Sequence, residues 1–192
     1  MNTTSTESIF GSDRQQNTRK VYVLLTRFPD NGSKTIGFYT NFYYTHASIG
    51  LDEDMDTFYS FVKKGFFVEN ITKYLQNNKE PFPCRLYELN VSQKKYDGLK
   101  EMLYNFEIRK NTYRYSYLGV ITALFHFPFV QRNRFFCSHF VAEMLQRNKL
   151  VRLKKNSALY FPRDLNKLPE LSKVFEGNLK GYAQNYSLQP CW

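Results

Sequence analysis

The chain has 192 residues, 42% hydrophobic and 18% aromatic, enough apolar material for one globular domain with a core and the wrong composition for a disordered chain. Its 27 Lys and Arg side chains outnumber 17 Asp and Glu, and the formal charge of +10 suits anionic surroundings such as nucleic acid, anionic lipid or an anionic cell-wall polymer, or simply a soluble basic surface. Three cysteines, Cys84, Cys137 and Cys191, show no CxxC or Cys/His spacing, so neither a disulfide framework nor zinc is expected, and no cofactor is implied.

Residues 1–18 read as a disordered polar tail without the apolar stretch of a signal peptide, which predicts a cytoplasmic protein and leaves export by a non-standard route open. A β-branched run from Lys20 to Thr26 predicts the first strand, and Asp30-Asn31-Gly32-Ser33 a turn before a short helix or turn over 35–40. Strands are expected at Tyr44–Leu51, Thr57–Lys63 and Gly65–Glu69, the first two joined through an acidic turn at 52–56. A short helix over 71–77 and an alternating strand over 84–89 follow. Ser92 is placed to cap a helix with Tyr96, Leu99, Met102, Leu103 and Phe106 on its apolar face.

Residues 111–118 read as a loop or the start of a helix. The most apolar segment, Leu118–Val130, is broken by His126 and Pro128 and is too short to span a bilayer. A helix from Ser138 to about Asn148 would bury Phe140, Val141, Met144 and Leu145, and Pro162-Arg163-Asp164-Leu165 looks like a late helix start. Helices and strands without regular βαβ alternation argue an α+β fold, with one domain over 19–176 and a weakly structured C-terminal tail over 177–192.

The chemistry concentrates in two places. Cys137 stands where an amphipathic helix begins, and about ninety residues upstream His46 begins a strand in Thr45-His46-Ala47-Ser48-Ile49. A thiol at a helix N-terminus is favoured as thiolate by the helix dipole, and a histidine on a neighbouring strand can take its proton and return it. Free cysteines are mostly core residues and strand histidines mostly structural. Against that, Cys137 sits at the helix start and not in mid-face, beside the polar pair Ser138-His139. His139, about 200° from Cys137 around the helix, is not placed to serve as its base, and His126 reads as structural.

These residues resemble the circularly permuted papain-like, NlpC-type cysteine hydrolases (YiiX-like proteins). The likeness rests on the strand Thr45-His46-Ala47-Ser48-Ile49, the hairpin strand Phe58-Tyr59-Ser60-Phe61, the segment Gly65-Phe66-Phe67-Val68-Glu69 and the late helix Phe136-Cys137-Ser138-His139-Phe140-Val141, covering roughly residues 20–168. More distantly, the helix also resembles that of lecithin–retinol acyltransferase-like enzymes, although the second His those enzymes carry in the hairpin strand is absent. The resemblance implies an antiparallel sheet packed against the cysteine helix, with Cys137 as nucleophile and His46 as base. A third polar residue would orient the imidazole, and the hairpin position is the one expected to supply it: Tyr59 if the hairpin turn has two residues, Ser60 if it has three; Glu69 is the other candidate, which as a carboxylate would orient most strongly. The backbone N–H of Cys137 is the natural oxyanion donor, and Tyr115 loosely matches the assisting tyrosine of NlpC-type enzymes or packs in the core.

The function implied is cleavage of a peptide or isopeptide bond through a Cys–His acyl-enzyme, with a cell-wall peptide as one substrate class. A lipid-directed acyltransferase or amidase and a non-catalytic binding module of the same fold are the alternatives. The basic side chains imply contact with an anionic polymer or membrane surface. Arg109, Lys110, Arg114, Arg132 and Arg134 interleave with aromatic residues, yet no RRM, KH or helix-turn-helix signature accompanies them, so a nucleic-acid partner is not expected.

Overall fold

The computed structural model describes residues 18–27, 42–77 and 82–187. The expected turn at 30–33, the helix or turn over 35–40, the tail over 1–17 and Cys191 lie outside them. The described chain is a mixed α+β structure around a six-stranded antiparallel sheet. Its strands are β1 (Thr18–Thr26), β2 (His46–Leu51), β3 (Asp54–Val62), β4 (Gly65–Asn70), β5 (Pro83–Ser92) and β8 (Ser172–Asn178), in the order β4-β3-β2-β1-β5-β8. The helices are α1 (Ile71–Asn77), α2 (Gln93–Ile108), α3 (Tyr117–Leu124), α4 (Cys137–Arg147), α5 (Pro162–Leu165) and α6 (Leu179–Tyr182). A two-residue parallel pair, β6 (Arg114–Tyr115) and β7 (Arg134–Phe135), stands apart from the main sheet. None of the described helices is long and apolar enough to cross a membrane.

Both faces of the sheet are covered. Val21, Val23 and Leu25 of β1 point into a core shared with α2 and α4, while Tyr22 and Leu24 point into a second core closed by Ile71 of α1 and by Leu179 and Tyr182 of α6. This two-sided burial is why β2, at the centre, reads as a run of buried residues and not as an alternation. Phe140 of α4 lies at the centre of the first core, its ring 5.1 Å from Phe61, 5.2 Å from Phe106 and 5.7 Å from Phe66.

Three local features differ from the sequence reading. Ser92 precedes α2 as expected, but its side chain makes no capping bond. The tail expected over 177–192 is corrected as far as the structure describes it. The preceding stretch is edge strand β8, paired to β5, and α6 buries Leu179 and Tyr182 with Ala183 behind them. The mostly exposed β8 lacks an apolar signature, and apolar residues spaced i, i+3 and i+4 in a polar stretch still make one buried face. His126, expected to be structural, is so only through its left-handed backbone at the end of α3, since its side chain is exposed and packs in no core.

The ends of α3 and α4 share a device. His126 (φ 59°) and Lys149 (φ 52°) are left-handed, and each is followed by a residue whose N–H reaches back to the last turn, Phe127 to the Thr122 carbonyl (2.9 Å) and Leu150 to that of Leu145 (2.9 Å). Gly65, which opens β4, needs its φ of +105°, and a Cβ there would stand 2.5 Å from the Tyr113 carbonyl oxygen.

Phe140→Ala is expected to destabilise the fold by about 3–5 kcal/mol, because it empties the middle of the aromatic core. Cys137→Ala, one turn earlier on the same helix, should shift the urea midpoint by far less. Equal losses would mark Cys137 as a packing residue.

Candidate functional site

The site is built where β2 and β3 part. The hairpin has the two-residue turn Asp52-Glu53, with Leu51 facing Asp54, but a bulge follows at once, so that Gly50 faces Phe58 and Ile49 faces Tyr59. The bulge is held by its own acids. Asp54 accepts from the Asp56 N–H (2.8 Å) and the Thr57 hydroxyl (2.5 Å), and Asp56 accepts from the N–H and hydroxyl of Thr72 (both 2.8 Å), in the first turn of α1. Neither register weighed from the turn length survives: Tyr59 is opposite Ile49, and neither Tyr59 nor Ser60 is paired across from His46. Tyr59 stacks on Phe66 and lines a surface cleft with Leu51, Glu53 and Lys100, a cleft that contains neither Cys137 nor His46.

Beyond Ile49 the β2–β3 ladder stops, while β2 continues to pair with β1 back to Thr26 opposite His46. The freed edge of β2 receives the N-terminus of α4: the Ala47 N–H, released from any β3 partner, hydrogen-bonds the Cys137 side chain, as does the Ser138 N–H. The Cys137 side chain also lies within hydrogen-bonding reach of the His46 imidazole.

On its other side the ring is fixed by Glu69. His46 Nε2 donates to Glu69 Oε1 at 2.6 Å, leaving Nδ1 to face the thiol, and the Ser60 hydroxyl donates to the same carboxylate oxygen at 2.5 Å. His46, Ser60 and Glu69 alternate with Ala47, Phe61 and Val68 of the first core, which puts the three polar groups on one face of the sheet. All four groups are buried: 5% of His46, 5% of Glu69, 6% of Cys137 and 0% of Ser60 is exposed.

The electrostatics follow from this packing. Burial works against a charged imidazole, but the Glu69 carboxylate and the hydrogen bond to Cys137 outweigh it and raise His46 well above the ordinary histidine range. Burial likewise opposes a thiolate, and the His46 hydrogen bond and charge, with the N–H groups of Ala47 and Ser138, outweigh it and bring Cys137 below the ordinary thiol range. Cys84 has no such neighbours, and burial alone pushes it up to about 12. His139 has its ring 4.8 Å from that of Phe135 and 5.4 Å from that of Phe136, where burial pulls it down to about 4 and keeps it neutral at physiological pH.

Helix α4 starts without a cap. Its N-cap residue is Phe136, which has no side-chain acceptor, so the amides of the first turn are left to whatever anion stands there. Three buried hydroxyls around the Cys–His contact, Thr26, Thr45 and Ser138, have no hydrogen-bond partner among the described residues. Tyr115 pairs across from Phe135, two residues before Cys137, and packs between the first core and a smaller cluster around Phe136 and Phe161. A cleft lined by Gln146, Leu150 and Glu170 opens at the opposite end of α4 and contains none of the site residues. Among the described residues, no group of three His, Cys, Asp or Glu side chains converges as a metal site.

No protein-family model matches the chain, and no curated protein matches its sequence.

The opposed shifts of Cys137 and His46 define a pH window. Below it the thiolate is protonated, and above it the raised His46 loses its proton. Between the two limits the thiolate–imidazolium pair is charged. Alkylation of Cys137 by iodoacetamide should therefore set in at lower pH than that of a free thiol, while Cys84, pushed up to about 12 by burial, stays unreactive until strongly alkaline pH. Mass spectrometry of brief labelling across a pH series checks this. A Cys137 rate that climbs with pH as for a free thiol, with a midpoint at about 8.5, would rule the ion pair out.

Proposed function

We propose that the protein is a cysteine hydrolase that cleaves an amide bond through an acyl-enzyme, on a permuted papain-like arrangement in which the histidine strand precedes the cysteine helix. The observation that carries this reading is the buried Cys137–His46–Glu69 array, with the thiol at an uncapped helix N-terminus. A structural cysteine needs neither an oriented imidazole nor a buried carboxylate behind it, and burying that carboxylate requires compensation by His46 and Ser60.

In the proposed reaction Cys137 attacks the carbonyl carbon as the thiolate, and the imidazolium of His46 then protonates the leaving amine. With its proton gone, His46 activates a water molecule that attacks the thioester, releasing the acid and restoring the pair. Glu69 holds the ring by Nε2 and stabilises its charge. Ser60 positions Glu69 by occupying a lone pair of the same oxygen. The Cys137 amide, at the first position of α4, is the donor placed to stabilise the oxyanion, and the Ser138 hydroxyl adds donor capacity beside it. The substrate class is a peptide, isopeptide or lipid-linked amide or ester.

The test uses an activated ester, p-nitrophenyl acetate, which needs no knowledge of the natural substrate. A burst of nitrophenol with one acetyl group on the Cys137 peptide is expected. Glu69→Gln should slow acylation by about 10²–10⁴-fold, since an amide keeps the geometry but loses the charge, and Ser60→Ala by about tenfold. Tyr59→Phe should leave it unchanged. Acylation of Cys137 at the wild-type rate in Glu69→Gln, or none in the native protein, would overturn the proposal.

A further inference from the structure

The segment from Tyr117 to Val130 carries an apolar surface that the chemistry above does not use. Six of the eleven large apolar side chains exposed among the described residues fall within it: Tyr117 (56%), Leu118 (48%), Ile121 (53%), Phe125 (79%), Phe127 (63%) and Val130 (61%). That concentration separates it from the scattered apolar residues any surface shows. Helix α3, Tyr-Leu-Gly-Val-Ile-Thr-Ala-Leu, contains no charged residue. It already buries one face, Ala123 with Val120 and Leu124, against Phe136 and Phe161, so the exposed set is the outward face together with the loop that follows. The loop is not loose: the left-handed His126 and the Phe127 N–H to Thr122 carbonyl bond fix how Phe125 and Phe127 leave the helix.

The charge around this surface has one sign. Residues 108–142 contain five Lys and Arg side chains and no Asp or Glu. The pairing of β6 with β7 sets Arg114 beside Arg134, and Arg132 is exposed next to them. Among the described residues, no carboxylate forms an ion pair with any of these three arginines.

We infer that Tyr117–Val130 and the flanking arginines form a docking surface for an anionic lipid bilayer, into whose interface the apolar side chains insert while Arg114, Arg132 and Arg134 meet the headgroups. The segment is too short to span a bilayer, and an apolar helix face with aromatic residues and a basic border is the pattern of an element that lies in the interface. A second copy of the chain fits worse. Two-fold pairing through this surface would bring two sets of arginines together with no carboxylate between them, whereas a bilayer supplies the opposite charge. The surface is tied through β6 and β7 to the residues immediately before Cys137, and the inference stands whether or not Cys137 is catalytic.

The experiment is flotation of the full chain with vesicles of phosphatidylcholine alone and of phosphatidylcholine mixed equally with phosphatidylglycerol, alongside sedimentation equilibrium without lipid. The protein should float with the mixed vesicles, hardly at all with the neutral ones, and less as salt is raised. Phe125→Ser with Phe127→Ser, and separately Arg132→Gln with Arg134→Gln, should each weaken partitioning by about tenfold or more without lowering the melting temperature, because these side chains are exposed. Absence of flotation, equal flotation of the variants, or equal binding to neutral vesicles would overturn the inference. So would a lipid-free dimer that the Phe125→Ser, Phe127→Ser variant dissociates, which would assign the surface to a second copy.

Discussion

A carboxylate buried inside a sheet governs the geometry of this protein. Glu69 is 5% exposed, and His46 Nε2 and the Ser60 hydroxyl both donate to its Oε1, which supplies the partners a buried carboxyl group requires. Glu69 and its two partners lie on three strands, so the requirement fixes the relative placement of β2, β3 and β4 at once. The fixed ring then presents its other nitrogen to α4, and the charge of Glu69 reaches the thiol through it. Removing the carboxylate would leave a buried imidazole without the counter-charge that holds its proton.

The second constraint is the opening between β2 and β3. Had the hairpin remained regular, the ladder would run to His46 and the Ala47 N–H would be consumed by β3. The bulge held by Asp54 and Asp56 shifts the register, the pairing ends at Ile49–Tyr59, and the Ala47 N–H is left for Cys137. The uncapped start of α4 works in the same sense. A Ser, Asp or Asn at position 136 would offer its own oxygen to the first-turn amides, and Phe136 leaves them to the sulfur or to an incoming oxyanion. Phe136 also stacks on Phe161 at the start of α5 and shares a cluster with Ala123 of α3, which joins the cysteine helix to α3.

That junction places the proposed chemistry and the proposed docking surface in one continuous piece of structure. The pairing of β6 with β7 brackets α3 and its apolar loop between residues 115 and 134, so the exposed aromatic loop and the Cys137 turn share a rigid base. The two proposals remain separable, since one rests on a buried triad and the other on exposed side chains.

The sequence by itself determined the element types and singled out the two candidate groups, His46 and Cys137. The β-branched run of β1, the 3.6-residue periodicity of α2 and α4 and the positions of His46 and Cys137 at element starts are local properties, set by nearest neighbours along the chain. The choice between Tyr59, Ser60 and Glu69 was not local. It depended on hairpin register, and register depended on a bulge stabilised by side-chain bonds from Asp54 to Thr57 and from Asp56 to Thr72, which no turn-length rule contains. The edge strand β8 and the burial of Leu179 and Tyr182 were hidden for a related reason: a polar edge strand shows its role only when its partner is known. Only the tertiary structure decided that Glu69, one strand beyond the hairpin, holds the imidazole, because a buried charge selects its partners by proximity in space and not by distance along the chain.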